Sequence, residues 1–383
     1  MELVLATHGL VGIGGSETYL LTVAEQLQRL GHGVTVHALE GGAMSEFMAG
    51  RGLPVAIGER DLPDACDAIL VQDAAMAYAL AGRWPQTPQV FRAPSPLYDF
   101  QFPPQLPGVV AVVVVCSDRM ARHVEALAGE REIVRLRHPV DTHRLSPRGE
   151  IRERPRRAVL LGNYVSGQRR ELIVEAWGSA GVECETVGLH GAARPEPASA
   201  IAAADIVVGK ARAILDAMAC GRAAYVLDFA GGDGWVTEAG YPAMEADNFA
   251  GQATDWSLDR ERLLADLADY RPAMGQVNRD LVLAHHSARD HASELVALFR
   301  RLSPQPEPAG GPLRELARLV RLQWATEQDV IALRQAVQEE RERAVVAETY
   351  AATLEEERQR LYARLQEHEQ EQEPAPPRKW RAR

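Results

Sequence analysis

From Leu3 to Leu39 the chain reads as a strand, a glycine-rich turn, a helix and a second strand, and this run restricts the fold more than any other. Leu3 to Thr7 is a short apolar run, followed by His8-Gly-Leu-Val-Gly-Ile-Gly-Gly15. Beyond it, Tyr19, Leu20, Val23, Ala24, Leu27 and Leu30 fall at helical spacing, with Ser16 placed as the N-cap. Gly31-His-Gly33 stops the helix, and Val34 to Leu39 reads as the next strand. A βαβ unit of this kind belongs to a doubly wound α/β domain.

The rest of the first 150 residues continues the pattern. Apolar runs at Ala68 to Val71, Gln89 to Phe91, Val109 to Cys116 and Ile133 to Leu136 are separated by polar or helical segments, as in one parallel sheet. Pro139 to Arg157 is charged and punctuated by Pro and Gly, which suits an interdomain linker. The alternation then restarts. Strands are expected at Ala158 to Leu161, Val182 to Val187, Ile206 to Val208 and Tyr225 to Leu227, with helices between them from Arg169, Pro197 and Ala211. Helices at Leu258 to Leu267 and His285 to Leu302 close this second domain, so the expected boundaries are 1–150 and 151–302.

Length agrees with that division, because 383 residues at roughly 150 per domain give two domains and a remainder. The remainder begins at a Pro/Gly linker, 303–312, beyond which glycine vanishes and Glu, Arg, Gln, Ala and Leu dominate. Val330, Leu333, Val337, Ala344, Ala347, Ala351, Leu354, Leu361 and Leu365 keep a three-four spacing, interrupted by Glu340 and Arg358. This predicts a long helix over 313–372, either solvated alone or joined in a weak coiled coil with itself or a partner helix. The basic tip 373–383 is expected to be disordered, with at most marginal contact to acidic lipid.

A hydrophobic fraction of 46% excludes global disorder, and a formal charge of −11 argues against nucleic acid as a partner. Cys66, Cys116, Cys184 and Cys220 are scattered without a CxxC pair, which fits free thiols in a reducing cytoplasm. No signal peptide is visible, and the most apolar run, Val109 to Cys116, is far short of the ~20 residues of a spanning helix. A soluble protein is expected.

Several residues are candidates for a site. Gly14 and Gly15 precede a helix N-terminus, where free N–H groups and the helix dipole favour an anion. Glu17 stands where G-x-G-x-x-G has its third glycine, so a nicotinamide site using Glu40 on the ribose rests on a broken fingerprint. Lys210 and Arg212 begin one helix, and Arg169 and Arg170 another; cations there oppose the dipole unless an anion is bound. Asp216 lies in the middle of the helix that ends at Gly221, with a glycine pair, Gly231 and Gly232, one strand later. His8 follows the first strand and could face a cleft or close a turn. His285, His286 and His291 are poorly spaced for zinc, no Asp-x-Asp occurs, and no Walker A loop or G-x-S-x-G elbow is present.

Five stretches together resemble family-4 glycosyltransferases. Gly14-Gly-Ser-Glu17 with Leu30-Gly-His-Gly-Val34 is similar to their GG-x-E opening. His138-Pro-Val-Asp-Thr-His-Arg-Leu-Ser-Pro147 resembles their interdomain segment and Leu172-Ile-Val-Glu-Ala-Trp177 a helix of the second domain. Asp216-Ala-Met-Ala-Cys-Gly221 resembles E-A-M-A-C-G, followed by Gly231-Gly232. The resemblance spans about residues 1 to 302 and implies a GT-B fold, two Rossmann-like domains facing a cleft, extended here by the C-terminal helix. It implies a hexosyltransferase-like enzyme, cytoplasmic or peripheral at the inner membrane face. Such an enzyme moves sugar from a nucleotide sugar to a glycan or lipid-linked acceptor, with retention and without metal or other cofactor. By match, Gly14 and Gly15 would approach the donor diphosphate or acceptor, Asp216 the ribose, and Gly231 and Gly232 the sugar-phosphate region. Arg169, Arg170, Lys210 or Arg212 would supply the cations. The sequence departs from the family where the first Glu of E-x7-E becomes Val208 and the second becomes Asp216. The usual Gly-Arg reads Gly162-Asn163, the usual Lys aligns with Gln168, and Phe91-Arg-Ala-Pro-Ser-Pro96 lacks the expected histidine. Those losses keep two alternatives open, an inactive GT-B binding or assembly module and a sugar-nucleotide epimerase.

Overall fold

The computed structural model describes residues 1–162, 165, 167–188, 197–228, 231–306, 308 and 312–371. Asn163, part of the 303–312 linker and the 373–383 tip lie outside the described residues. The first part of the chain runs β1 (Glu2–Leu10), α1 (Gly15–Arg29), β2 (Gly33–Gly41), α2 (Ala43–Gly50), β3 (Val55–Ile57), β4 (Ala68–Val71), α3 (Ala74–Arg83), β5 (Gln89–Arg92), β6 (Val112–Val115), α4 (Asp118–Ala128) and β7 (Glu132–Arg135). The strands form one parallel sheet in the order β3-β2-β1-β4-β5-β6-β7. Strands β4, β5 and β6 are buried at every position, and β4 and β6 accordingly read as unbroken apolar runs, whereas β5 buries Gln89 and Arg92 at its ends.

A second sheet starts after the interdomain segment. Its elements are β8 (Arg157–Leu161), α5 (Gly167–Ser179), β9 (Glu183–Val187), α6 (Ala198–Ala203), β10 (Ile206–Gly209), α7 (Arg212–Ala219), β11 (Ala223–Asp228) and β12 (Gly231–Trp235). The order is β12-β11-β10-β8-β9, parallel except for β12. Helices α8 (Tyr241–Ala246), α9 (Arg260–Ala268), α10 (Ala273–His285) and α11 (Ala288–Arg301) follow, and α12 (Leu313–Glu371) ends the described chain. Residues 1–320 form one compact unit and 321–383 another.

The structure corrects the expected helix from His285 to Leu302 in two ways. It breaks at Ser287, whose hydroxyl caps α11 by accepting from the Asp290 N–H at 3.2 Å. It also does not close the second domain. Ala292, Leu295, Val296, Leu298 and Phe299 of α11 are buried with Tyr19, Leu20, Val23 and Leu27 of α1 in a core of the first domain. Burying one such large apolar side chain is worth about 1.5–3 kcal/mol, so the face that α11 presents decides its location. The chain therefore crosses between the domains twice. The crossings are hydrogen-bonded to each other, Val140 N–H to His286 O at 2.8 Å and Ala288 N–H to Val140 O at 3.2 Å.

Among the described residues no helix is long and apolar enough to cross a membrane.

Candidate functional site

A cleft of about 290 Å³ opens between the first domain's α1 and the carboxyl ends of β8 and β9. In an open α/β sheet the crevice at the point where strand order reverses is the natural ligand site, and β8 lies at that reversal, between β9 and β10. Four of the residues singled out in the sequence line this cleft together: Gly14, Gly15, Arg212 and Asp216.

On the first-domain side the cap of α1 is Gly14, not Ser16. The Gly14 carbonyl accepts both the Thr18 N–H at 3.0 Å and the Thr18 hydroxyl at 2.7 Å, which starts the helix one residue before Ser16. The two glycines have different surroundings. A Cβ on Gly14 would meet the Glu17 carboxylate at 2.5 Å, whereas one on Gly15 would meet nothing within 4 Å. Gly14 thus makes room for Glu17, and Gly15 leaves the cleft open beside a helix N-terminus. Burial raises the Glu17 carboxyl above its usual range, opposed by the Gly14 and Glu17 backbone and by Arg92.

On the second-domain side α7 begins after Ala211, a non-glycine residue with φ of 46°. Backbone held in this region costs about 1–3 kcal/mol and persists only where its surroundings fix it; here the Ala211 N–H is held by the Phe249 carbonyl at 3.1 Å. One turn in, the Arg212 Nε donates to Asp216 Oδ1 at 2.6 Å, both residues being buried. The Arg212 guanidinium also reaches the Pro139 carbonyl at 3.4 Å and the Thr22 hydroxyl at 3.5 Å. It therefore joins α7 to α1 and to the interdomain segment.

Two cations of this cleft were not anticipated from the sequence. Arg144 and Arg148 lie in its wall, and among the described residues neither side chain has a carboxylate partner. The segment that carries them was visible only as a linker. Asp141 shapes it by accepting from the backbone N–H groups of His143 and Arg144, each at 3.1 Å, and from Arg29 at 3.0 Å. Gly162 and Gly188 extend the wall beyond β8 and β9, with φ of 138° and 140°, values side chains rarely adopt.

Other candidates fall elsewhere. Arg169, Arg170 and Lys210 are not among the residues lining the cleft. The Arg170 Nε instead donates to the Thr186 hydroxyl on β9 at 2.9 Å. Gly231 and Gly232 sit in β12, paired with Asp228 and Leu227 of β11. A Cβ would meet the Gly251 carbonyl at 2.3 Å from Gly231 and the Trp256 ring at 2.6 Å from Gly232. Their absence of side chains thus serves packing. His8 and Glu40 face each other at 3.8 Å and also lie outside the cleft wall.

At the domain junction three histidines are buried. His291 Nε2 pairs with the Tyr19 hydroxyl at 2.9 Å, and His286 Nε2 with the Tyr241 hydroxyl at 2.8 Å. Their Nδ1 atoms face the carbonyls of Arg137 at 2.9 Å and His138 at 2.8 Å. Burial pushes His286 down to about 4 and His291 to about 3, so each is neutral and its Nδ1–H donates to the carbonyl. His138 is also pushed well down, by burial first and then by Arg212 and Arg92, and among the described residues neither ring nitrogen has a hydrogen-bond partner.

No family model matches the chain, and no curated protein matches it in sequence. Solved structures do match. HepE of Anabaena, determined with UDP and glucose, has a TM-score of 0.55 at 12% identity, covering 79% of this chain and 100% of its own. WaaG, a glycosyltransferase involved in lipopolysaccharide biosynthesis, has 0.51 at 12%, covering 78% and 100%. A glycosyltransferase from Rickettsia africae has 0.50 at 14%, covering 78% and 98%. The fold is GT-B. At these identities the likeness extends to the fold alone.

Proposed function

We propose that this chain is a glycosyltransferase of the family-4 type, taking a nucleotide-diphosphate sugar in the cleft and passing the sugar to an acceptor hydroxyl with retention. The observation that carries this reading is the meeting in one cleft of the open α1 N-terminus at Gly15 and the buried Arg212–Asp216 pair. The first offers backbone N–H groups to a diphosphate; the second offers Asp216 Oδ2 to a ribose hydroxyl while Oδ1 holds Arg212. Arg144 and Arg148 add positive charge where negative charge would grow on the leaving diphosphate. In this reading the charge on the leaving diphosphate is stabilised by these donors rather than by a metal ion. HepE, crystallised with UDP-glucose, supports a nucleotide-sugar donor for the same fold. The acceptor would be a glycan or lipid-linked glycan, reached in the cytoplasm or at a membrane face.

One observation favours a second reading, binding without turnover. Val208, standing where the family has its first glutamate, is fully buried in β10, and Asp216 is the only carboxylate among the described residues lining the cleft. A thermal-shift screen of nucleotide sugars, followed by a hydrolysis and transfer assay with each binder, separates the readings. Stabilisation with release of nucleoside diphosphate supports the enzyme. Stabilisation without turnover supports the binding module, and no stabilisation by any nucleotide removes both.

A further inference from the structure

Beyond its first turns the helix α12 carries large apolar side chains that are exposed. Leu333 is 65% exposed, Val337 52% and Leu361 62%, too much apolar surface for a helix that remains alone in water. These residues belong to a strict heptad seam that includes Ala344, Ala347, Ala351 and Leu354, with Glu340 and Arg358 also in seam positions. Among the described residues both charged residues pair locally at exposed positions, Glu340 with Arg343 at 2.6 Å and Arg358 with Glu355 at 2.6 Å. Pairs spaced i,i+3 on a helix surface contribute only about 0.2–0.5 kcal/mol, so they are readily exchanged.

We infer that α12 pairs with α12 of a second copy of this chain in an antiparallel coiled coil centred on position 349. In that register each seam residue meets its mirror image about the centre. Glu340 then faces Arg358 of the second copy, Ala344 faces Leu354, Ala347 faces Ala351, and Val337 faces Leu361. Both charged interruptions of the seam are compensated at once, and small residues oppose large or small ones where the helices approach closely. Along the edges Arg341 meets Glu355, Arg343 meets Glu357, and the exposed Tyr350 meets its own copy at the axis. Glu348 also meets its copy there, a like-charge contact at the solvent edge. A parallel pair would gain edge contacts such as Asp329 with Arg334 and Arg343 with Glu348, each worth about 0–1 kcal/mol. It would also set Glu340 against Glu340 and Arg358 against Arg358 inside the seam, where unpaired charge costs several times more.

Sedimentation equilibrium of the full chain, with Glu340→Arg, Arg358→Glu and the double variant, tests the register. The expected result is a dimer whose dissociation constant rises at least tenfold with either single reversal and returns to within about threefold of the starting value in the double variant. A parallel dimer would not respond this way, because each reversal there replaces one like-charge pair by another. Mixing Glu340→Cys with Arg358→Cys chains under mild oxidation should give cross-links between the two variants. A monomer at tens of micromolar, single reversals without effect, a double variant no better than the singles, or cross-links only between identical variants would overturn the proposal.

Discussion

Arg212 Nε lies 2.6 Å from Asp216 Oδ1 one turn along α7, and the same guanidinium reaches Thr22 of α1 and the carbonyl of Pro139. The pair is both a wall of the cleft and a tie between the domains. Removing the carboxylate leaves a buried guanidinium without its counter-charge, so Asp216→Ala should lose about 3 kcal/mol in urea unfolding. Asp216→Asn keeps a neutral acceptor for Arg212 and should lose clearly less. Its nucleotide-sugar dissociation constant should still rise about tenfold, as a charged acceptor becomes a neutral one. Calorimetric titration checks this, and wild-type affinity in the Asn variant would rule out the ribose role.

The two glycines at α1 should behave oppositely. At Gly15 a methyl group meets nothing within 4 Å, and alanine is favoured over glycine within a helix by up to about 1 kcal/mol. Gly15→Ala should therefore unfold at the same temperature or higher, yet show a smaller shift with nucleoside diphosphate. Gly14→Ala puts a poor N-cap residue at the start of α1 and moves the flexible end of Glu17 aside, so its melting temperature should fall slightly without any ligand. Equal ligand response in Gly15→Ala and the unaltered protein would mean that the diphosphate does not approach α1.

Much of the fold was legible because both sheets are covered on two faces, so β4, β6 and β10 appear as apolar runs that no helix period interrupts. What escaped was set by tertiary contacts. The three-residue strand β3 is too short to carry a period, and β12 is a glycine-rich strand whose glycines fit against Trp256 and Gly251. The return of α11 depends on where its apolar face finds cover, which spacing alone does not reveal. At the site, Asp216 and Arg212 stood out by helix position, but charge at a helix start did not separate Arg212, in the cleft, from Arg169, Arg170 and Lys210, outside its wall. Arg144 and Arg148 were hidden in a segment whose composition signals only a connection.

Arg144 and Arg148 provide the most direct test of the charge assigned to the cleft. Their side chains make no ion pair among the described residues, so alanine at either position should leave the unfolding free energy within about 0.5 kcal/mol. Charge-assisted hydrogen bonds to phosphate are worth about 1.5–3 kcal/mol, so each variant should weaken nucleoside diphosphate binding by at least tenfold. A nucleoside monophosphate should lose less. Fluorescence titration at two salt concentrations would show it, and an equal loss for both nucleotides would move these residues away from the diphosphate.

The buried histidines predict a defined acid sensitivity. Folding lowers His286 from an ordinary value of 6.5 to about 4 and His291 to about 3, chiefly by burial, with His138 shifted in the same direction. Between pH 6.5 and those values the unfolded chain carries protons that the folded chain lacks. Stability from these groups is therefore complete above pH 6.5 and falls as the pH drops, by about 1.4 kcal/mol per pH unit for each histidine. His286→Gln keeps an amide able to face both Tyr241 and the His138 carbonyl but takes up no proton. Its unfolding free energy, followed by urea titration from pH 7 to pH 5, should decline less steeply by about one proton. An unchanged slope would mean that His286 is already protonated in the folded chain.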